Sequence, residues 1–182
     1  MQRSRDLTYD ATPLPREIID MGYNGFGSFF ERNKMRQIAE KSVGLDYLEG
    51  WVEHKLIDGV IIKIRAFGSR TLHIVAGNGP GLGLITLARC ALTRCDCIIK
   101  APSNDPFTSA ALALTMCDMA PDHPITRHFS VAYWKGGDAE VEDKLYRPHN
   151  IEKIIAWGGL AGIRHVTKYI QPGLELISLD PK

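Results

Sequence analysis

The sequence has almost no charge of either sign to spare. Its 22 Lys+Arg against 21 Asp+Glu leave a formal net charge of +1, which gives no electrostatic reason to expect nucleic acid or an anionic membrane as partner. No apolar run approaches the ~20 residues that a bilayer crossing needs, and no signal-peptide apolar region follows Met1. The expectation is a cytoplasmic location. Cysteine is scarce: Cys90, Cys95, Cys97 and Cys117 form no Cys-x-x-Cys pair and no histidine follows at finger spacing. The four read as reduced core thiols, with no metal ligand among them. No internal repeat or low-complexity segment stands out, and two phosphate-binding signatures are missing. A Walker A loop needs Gly-Lys-Ser/Thr where Gly83 meets Leu84, and G-x-G-x-x-G fails because Leu82, Leu84 or Thr86 takes the third glycine's place.

What is there is a chain of 182 residues, 45% hydrophobic and 24% charged, enough for one domain with a real core or for part of something larger. Its organising stretch reads His73-Ile-Val-Ala-Gly77-Asn78-Gly-Pro-Gly-Leu-Gly83, then a helix-compatible segment, then Cys97-Ile-Ile-Lys100-Ala-Pro-Ser103-Asn104-Asp-Pro106. Two apolar runs, the first stopping at a glycine-rich turn and the second at a lysine, flank one helix. This is a strand–turn–helix–strand unit of a parallel sheet, with both strands ending at one edge. Ligands of such sheets bind outside the carboxyl ends of the strands, which makes Asn78, Lys100 and Ser103 the first candidates.

Before this unit, residues 1–27 carry Pro13, Pro15, Gly22, Gly25 and Gly27 and read as an extended arm with at most a short helix. Helices are expected over 28–41, capped by Ser28, and over 45–56, and a strand over 60–67. After it, Pro106 opens a helix to about residue 119, capped by Ser103 or Asp105. Strands over 129–134, 151–157 and 174–179 alternate with helices over 140–145 and 160–170. The fold class is α/β, an open, mostly parallel sheet with flanking helices. The division is 1–58, an arm with helices, and 59–182, the α/β domain.

Three turns in register resemble the aldehyde dehydrogenase superfamily, whose turns read Pro-Trp-Asn-Phe-Pro, Lys-Pro-Ser-Glu and Phe-Thr-Gly-Ser. Their counterparts are Gly77-Asn78-Gly79-Pro80, Lys100-Ala-Pro-Ser103-Asn104 and Ala156-Trp157-Gly158-Gly159. Leu179-Asp-Pro-Lys182 falls where the family has Leu-Gly-Gly-Lys. The Gly-Asn-x-Pro-Gly turn and the Lys-Ala-Pro-Ser wording are similar to one branch, the LuxC-type fatty-acyl-CoA reductases of bacterial luminescence operons. The resemblance covers roughly residues 59–182 and implies a Rossmann-type NAD(P)-binding domain.

By that resemblance, Asn78 donates to the oxyanion of a thiohemiacetal, and Lys100 bonds the adenosine ribose beside Gly77 and Ser103. Gly158 and Gly159 face the pyrophosphate, with Gly137 in a lesser part of the same cradle. The family's ribose-binding glutamate falls at Asn104, whose neutrality favours NADPH over NADH. Its general-base glutamate falls at Ser178, a departure that suits reduction of an acyl-CoA to an aldehyde rather than aldehyde oxidation. The family's nucleophilic cysteine lies beyond this stretch, in a catalytic domain. The resemblance therefore implies a cofactor-binding part without activity of its own, completed by a downstream catalytic polypeptide or an acyl-transfer partner. An oligomer is compatible with it. The alternative is a nucleotide-binding or assembly module without activity, and a third reading is an unrelated α/β protein whose turns are only turns.

Overall fold

In the computed structural model, which describes residues 2–77, 79 and 81–179, four helices precede the first strand: α1 (Gln2–Ala11), α2 (Arg16–Phe29), α3 (Arg32–Ser42) and α4 (Leu45–Glu49). A hairpin of β1 (Val52–Lys55) and β2 (Ile61–Ile64) follows. The remainder alternates: β3 (Arg70–Ile74), α5 (Leu82–Leu92), β4 (Asp96–Lys100), α6 (Thr108–Met119), β5 (Phe129–Ala132), α7 (Ala139–Leu145), β6 (Lys153–Trp157), α8 (Leu160–Thr167) and β7 (Glu175–Leu179).

The five strands from β3 onward form one parallel sheet in the order β5-β4-β3-β6-β7. The chain starts at the centre, moves outward through β4 to β5, then returns to the other side of β3. The direction of winding therefore reverses between β3 and β6, and such a switch point opens a crevice at the carboxyl ends of the strands. Alternation along β3 divides the core. Leu72 packs on one face with Trp134, Tyr146, Ile154, Val166 and Leu174. Val75 packs on the other face with Leu87, Cys90, Cys97 and Ile99. Each fully buried leucine or isoleucine here contributes about 1.5–3 kcal/mol.

The α/β sheet expected from the sequence is present; the segment before it differs. In place of the extended arm expected over 1–27, residues 2–27 form most of two helices. Ile19, Tyr23 and Phe26, spaced along one face of α2, form a core with Leu84 of α5, and that burial outweighs the helix-weakening glycines. Pro15 stands at the N-cap of α2, where a missing N–H costs nothing. The expected helix over 28–41 is split between α2 and α3. The expected helix over 45–56 ends at Glu49, because Val52–Lys55 pairs antiparallel with Ile61–Ile64. That hairpin turns at Asp58-Gly59, with Gly59 at φ +89°, and it straddles the boundary drawn at residue 58. The helix expected from Pro106 starts at Thr108, whose N–H donates to Asp105 Oδ1 at 3.2 Å. Its N-cap position is Phe107, and the carboxylate that accepts the first helical N–H is that of Asp105.

A chain of buried hydroxyls fastens the N-terminal helices. Tyr23 OH lies 2.8 Å from Ser4 Oγ, 3.0 Å from Thr8 Oγ1 and 2.8 Å from Thr108 Oγ1. Thr108 Oγ1 donates onward to Asp105 Oδ1 at 2.5 Å. Tyr23→Phe leaves these hydroxyls short of a partner, so it is expected to lower the unfolding free energy by about 1–3 kcal/mol. A urea midpoint indistinguishable from wild type would show that the relay contributes nothing.

Candidate functional site

Register places the expected residues on one edge. Ile74 of β3 is level with Lys100 of β4 and Ala156 of β6. The turn after β3 is therefore flanked by Lys100, Ser103 and Asn104 on one side and by Gly158 and Gly159 on the other. Asn78 lies outside the described residues. Gly77 and Asn104 are in direct contact: Asn104 Nδ2 donates to the Gly77 carbonyl at 2.6 Å, and a Cβ on Gly77 would fall 1.7 Å from Asn104 Oδ1. Ser103 is exposed on the loop after β4.

Lys100 is half-buried, with its ammonium 5.3 Å from the Trp134 ring centroid and 6.0 Å from that of Tyr133. Burial draws its pKa below the ordinary lysine value, against the pull of the Glu142 carboxylate. Gly158 and Gly159 differ from Gly77 and Gly81, which are closely packed. A Cβ at either position would meet nothing within 4 Å, and Gly159, the N-cap of α8, has φ −72°. Neither packing nor backbone conformation demands glycine there. Bare backbone at a helix N-terminus with open space above it suits an approaching phosphate.

Gly137, in the turn after β5, donates its N–H to Glu142 Oε1 at 3.1 Å, and a Cβ there would lie 4.0 Å from His165 Cε1 on α8. Glu142, on α7, is a buried hub that the sequence did not single out. Its Oε1 accepts from Trp134 Nε1 at 3.3 Å, and its Oε2 lies 2.6 Å from His165 Nε2 and accepts from Tyr169 OH at 3.4 Å. Burial pushes this carboxyl up, but the bonds from His165, the Gly137 N–H and Trp134 outweigh it and hold the pKa below the ordinary value.

The glycine-rich turn before α5 is expected from the sequence, but the constraint on Gly81 within it is not. Gly81 is left-handed at φ +89°, and a Cβ there would fall 2.3 Å from Phe26 Cε1. Asp105 accepts from the Gly81 N–H; burial raises its pKa, opposed by Thr108 and Gly81. The hydroxyl relay from α1 and α2 thus ends on the glycine turn.

At the opposite end of the sheet, Cys90 Sγ lies 3.2 Å from His73 Nε2. A hydrogen bond with Cys97 lowers the Cys90 pKa and raises that of Cys97.

A family model described as "Acyl-CoA reductase (LuxC)" matches residues 8–182. The chain belongs to this family. It is 35% identical over 188 residues to long-chain acyl-protein thioester reductase 2 of Photobacterium leiognathi, covering 98% of this chain and 38% of that protein. It is 38% identical over 121 residues to the long-chain acyl-protein thioester reductase of Photorhabdus luminescens, covering 65% of this chain and 25% of that one. It therefore spans well under half the length of these relatives. Among solved structures, it superposes with TM-score 0.70 at 13% identity on an NADP-dependent glyceraldehyde-3-phosphate dehydrogenase from Bacillus halodurans, covering 97% of this chain and 36% of that one. A putative aldehyde dehydrogenase from Anabaena variabilis gives TM-score 0.69 at 11% identity over 98% of this chain and 36% of that one. The fold of this LuxC-family chain is thus that of part of an aldehyde dehydrogenase. Among the described residues, no helix is long and apolar enough to cross a membrane.

Proposed function

We propose that the chain is the nicotinamide-nucleotide-binding part of a reductase that converts a long-chain acyl thioester to an aldehyde, with NADPH as the preferred nucleotide. The thioester is the shared chemistry of the family description, which names acyl-CoA, and of the relatives' names, which specify acyl-protein. The nucleotide supplies hydride when bound.

The observation that carries this reading is the position of Gly158 and Gly159 at the N-terminus of α8, with no side chain or packed neighbour over the backbone, beside the switch point of the sheet. They leave the pyrophosphate room to approach the backbone N–H groups of α8. Lys100 holds the ribose end, and the neutral Asn104 removes a carboxylate that would repel a 2′-phosphate. Asn104 also fixes the Gly77 carbonyl and so steadies the turn that carries Asn78, the oxyanion donor of this proposal. The nucleophile is not among this chain's cysteines. Cys90, Cys95 and Cys97 lie at the far end of the sheet, and Cys117 is on α6. The nucleophilic thiol comes from outside these 182 residues, and the chain alone binds nucleotide without turning over thioester.

Calorimetric titration with NADPH and NADH tests this. Binding is expected, tighter for NADPH. Gly159→Val is expected to weaken it about tenfold or more, equivalent to ~1.4 kcal/mol, while unfolding stability stays within about 0.5 kcal/mol. Absence of binding by both nucleotides, or an unchanged affinity in Gly159→Val, would remove the cradle from the reading.

A further inference from the structure

The parallel register sets Thr71 of β3 beside Cys97 of β4, with His73 two residues further along the same face of β3. Cys90, near the end of α5, lies over them. His73 Nε2, Cys90 Sγ and Cys97 Sγ all fall within 4.8 Å of one another. Thr71 Oγ1, which donates to the Asp96 carbonyl at 3.0 Å, stands 3.2 Å from His73 Nε2. His73 Nδ1 is buried without a hydrogen-bond partner among the described residues. A cleft of about 380 Å³ opens beside both thiols and is also lined by Cys95, His123 and His128.

We propose that His73, Cys90 and Cys97 form a zinc site with its fourth position open toward this cleft. Two thiolates and one imidazole are the donor set of a thiophilic, borderline-soft cation, whereas magnesium and calcium take oxygen ligands. The ligands come from three elements, β3, α5 and β4, so one ion ties the helix to the two central strands. Metal bonds of about 2.0–2.3 Å hold tetrahedral ligand atoms roughly 3.5–3.8 Å apart. The 3.2 Å between Cys90 and His73 is close to that, and since all three atoms lie within 4.8 Å of one another, no pair needs to close by more than about 1 Å to reach tetrahedral spacing. Both thiols release their protons to solvent on binding, so the two thiolates neutralise the divalent charge. The site lies at the end of the sheet away from Lys100, Gly158 and Gly159, and it stands whether or not nucleotide binds there.

The test uses the full chain, kept reduced with a phosphine and titrated with Co²⁺ and then Zn²⁺ in the absence of air. One equivalent of Co²⁺ is expected to bind with thiolate-to-cobalt charge-transfer absorption, and Zn²⁺ is expected to abolish that absorption. Cys90→Ser, Cys97→Ser and His73→Asn are each expected to weaken cobalt binding about tenfold or more, while Cys95→Ser and Cys117→Ser retain it. If the serine variants at 90 or 97 lose their far-ultraviolet circular dichroism, alkylation of the wild-type chain with and without Zn²⁺ decides. Zinc is then expected to slow modification of Cys90 and Cys97 but not of Cys117. No charge-transfer band at saturating Co²⁺, a band that survives loss of Cys90 or Cys97, or alkylation unaffected by zinc would each overturn the proposal.

Discussion

Glu142→Ala is expected to lower the unfolding free energy by about 3–5 kcal/mol, the range found when one partner of a buried charged group is removed. The carboxylate is 1% exposed, and its loss strands the indole N–H of Trp134, the Gly137 N–H and the Tyr146 hydroxyl, while His165 Nε2 loses its partner at 2.6 Å. Glu142→Gln keeps the volume but presents an amide N–H to groups that are themselves donors, and is expected to cost about 1–3 kcal/mol. The pH dependence has a definite sign. Because the folded pKa lies below the ordinary value, the unfolded chain takes up the proton first as pH falls. The carboxylate's contribution is complete above about pH 4–5, the ordinary range for glutamate, and is lost as pH falls through the folded value. Urea titrations at neutral and acid pH check this. Glu142→Gln is expected to lose less stability than wild type over that acid interval; equal losses in both would rule the carboxylate out as the source.

Gly81→Ala is the second large effect. A left-handed backbone costs an ordinary residue about 1–2 kcal/mol. The added methyl would press on the Phe26 ring at 2.3 Å, and overpacking of this kind costs about 1–3 kcal/mol more. The sum, roughly 2–5 kcal/mol, is measurable by urea or thermal unfolding. Phe26→Ala should relieve the second part and leave the first, so a double-mutant cycle is expected to show coupling. If the cycle is additive, the ring does not constrain the turn.

These two cases show where the sequence was readable. The β3–α5–β4 unit announces itself through two apolar runs and a glycine turn, signals that act over a few residues. The edge that gathers Lys100, Asn104 and Gly158 follows from that unit and from parallel topology. The need for Gly81 is invisible locally, because Phe26 imposes it from 55 positions earlier, the difference between the two residue numbers. Likewise α1 is held by Ser4 and Thr8, polar residues with no hydrophobic period to report. The hairpin, by contrast, carried a usable mark: Asp58-Gly59 between β-branched runs is a turn signal, overridden by the helical spacing of Trp51, Val52 and Leu56. His73 gave a fainter one. With Thr71 it forms the polar half of an alternation on a strand that is central and therefore covered on both faces.

The relay from Tyr23 to Thr108 joins residues 85 positions apart. Closing so long a loop is entropically late. A chain emerging from synthesis can set its opening helices early and pack them on Leu84 once α5 has been made, but the hydroxyl link through Tyr23 waits for Thr108 and Asp105. The tie between the first helix of the chain and the cap region of α6 is thus completed only after the two central strands β3 and β4 have been made.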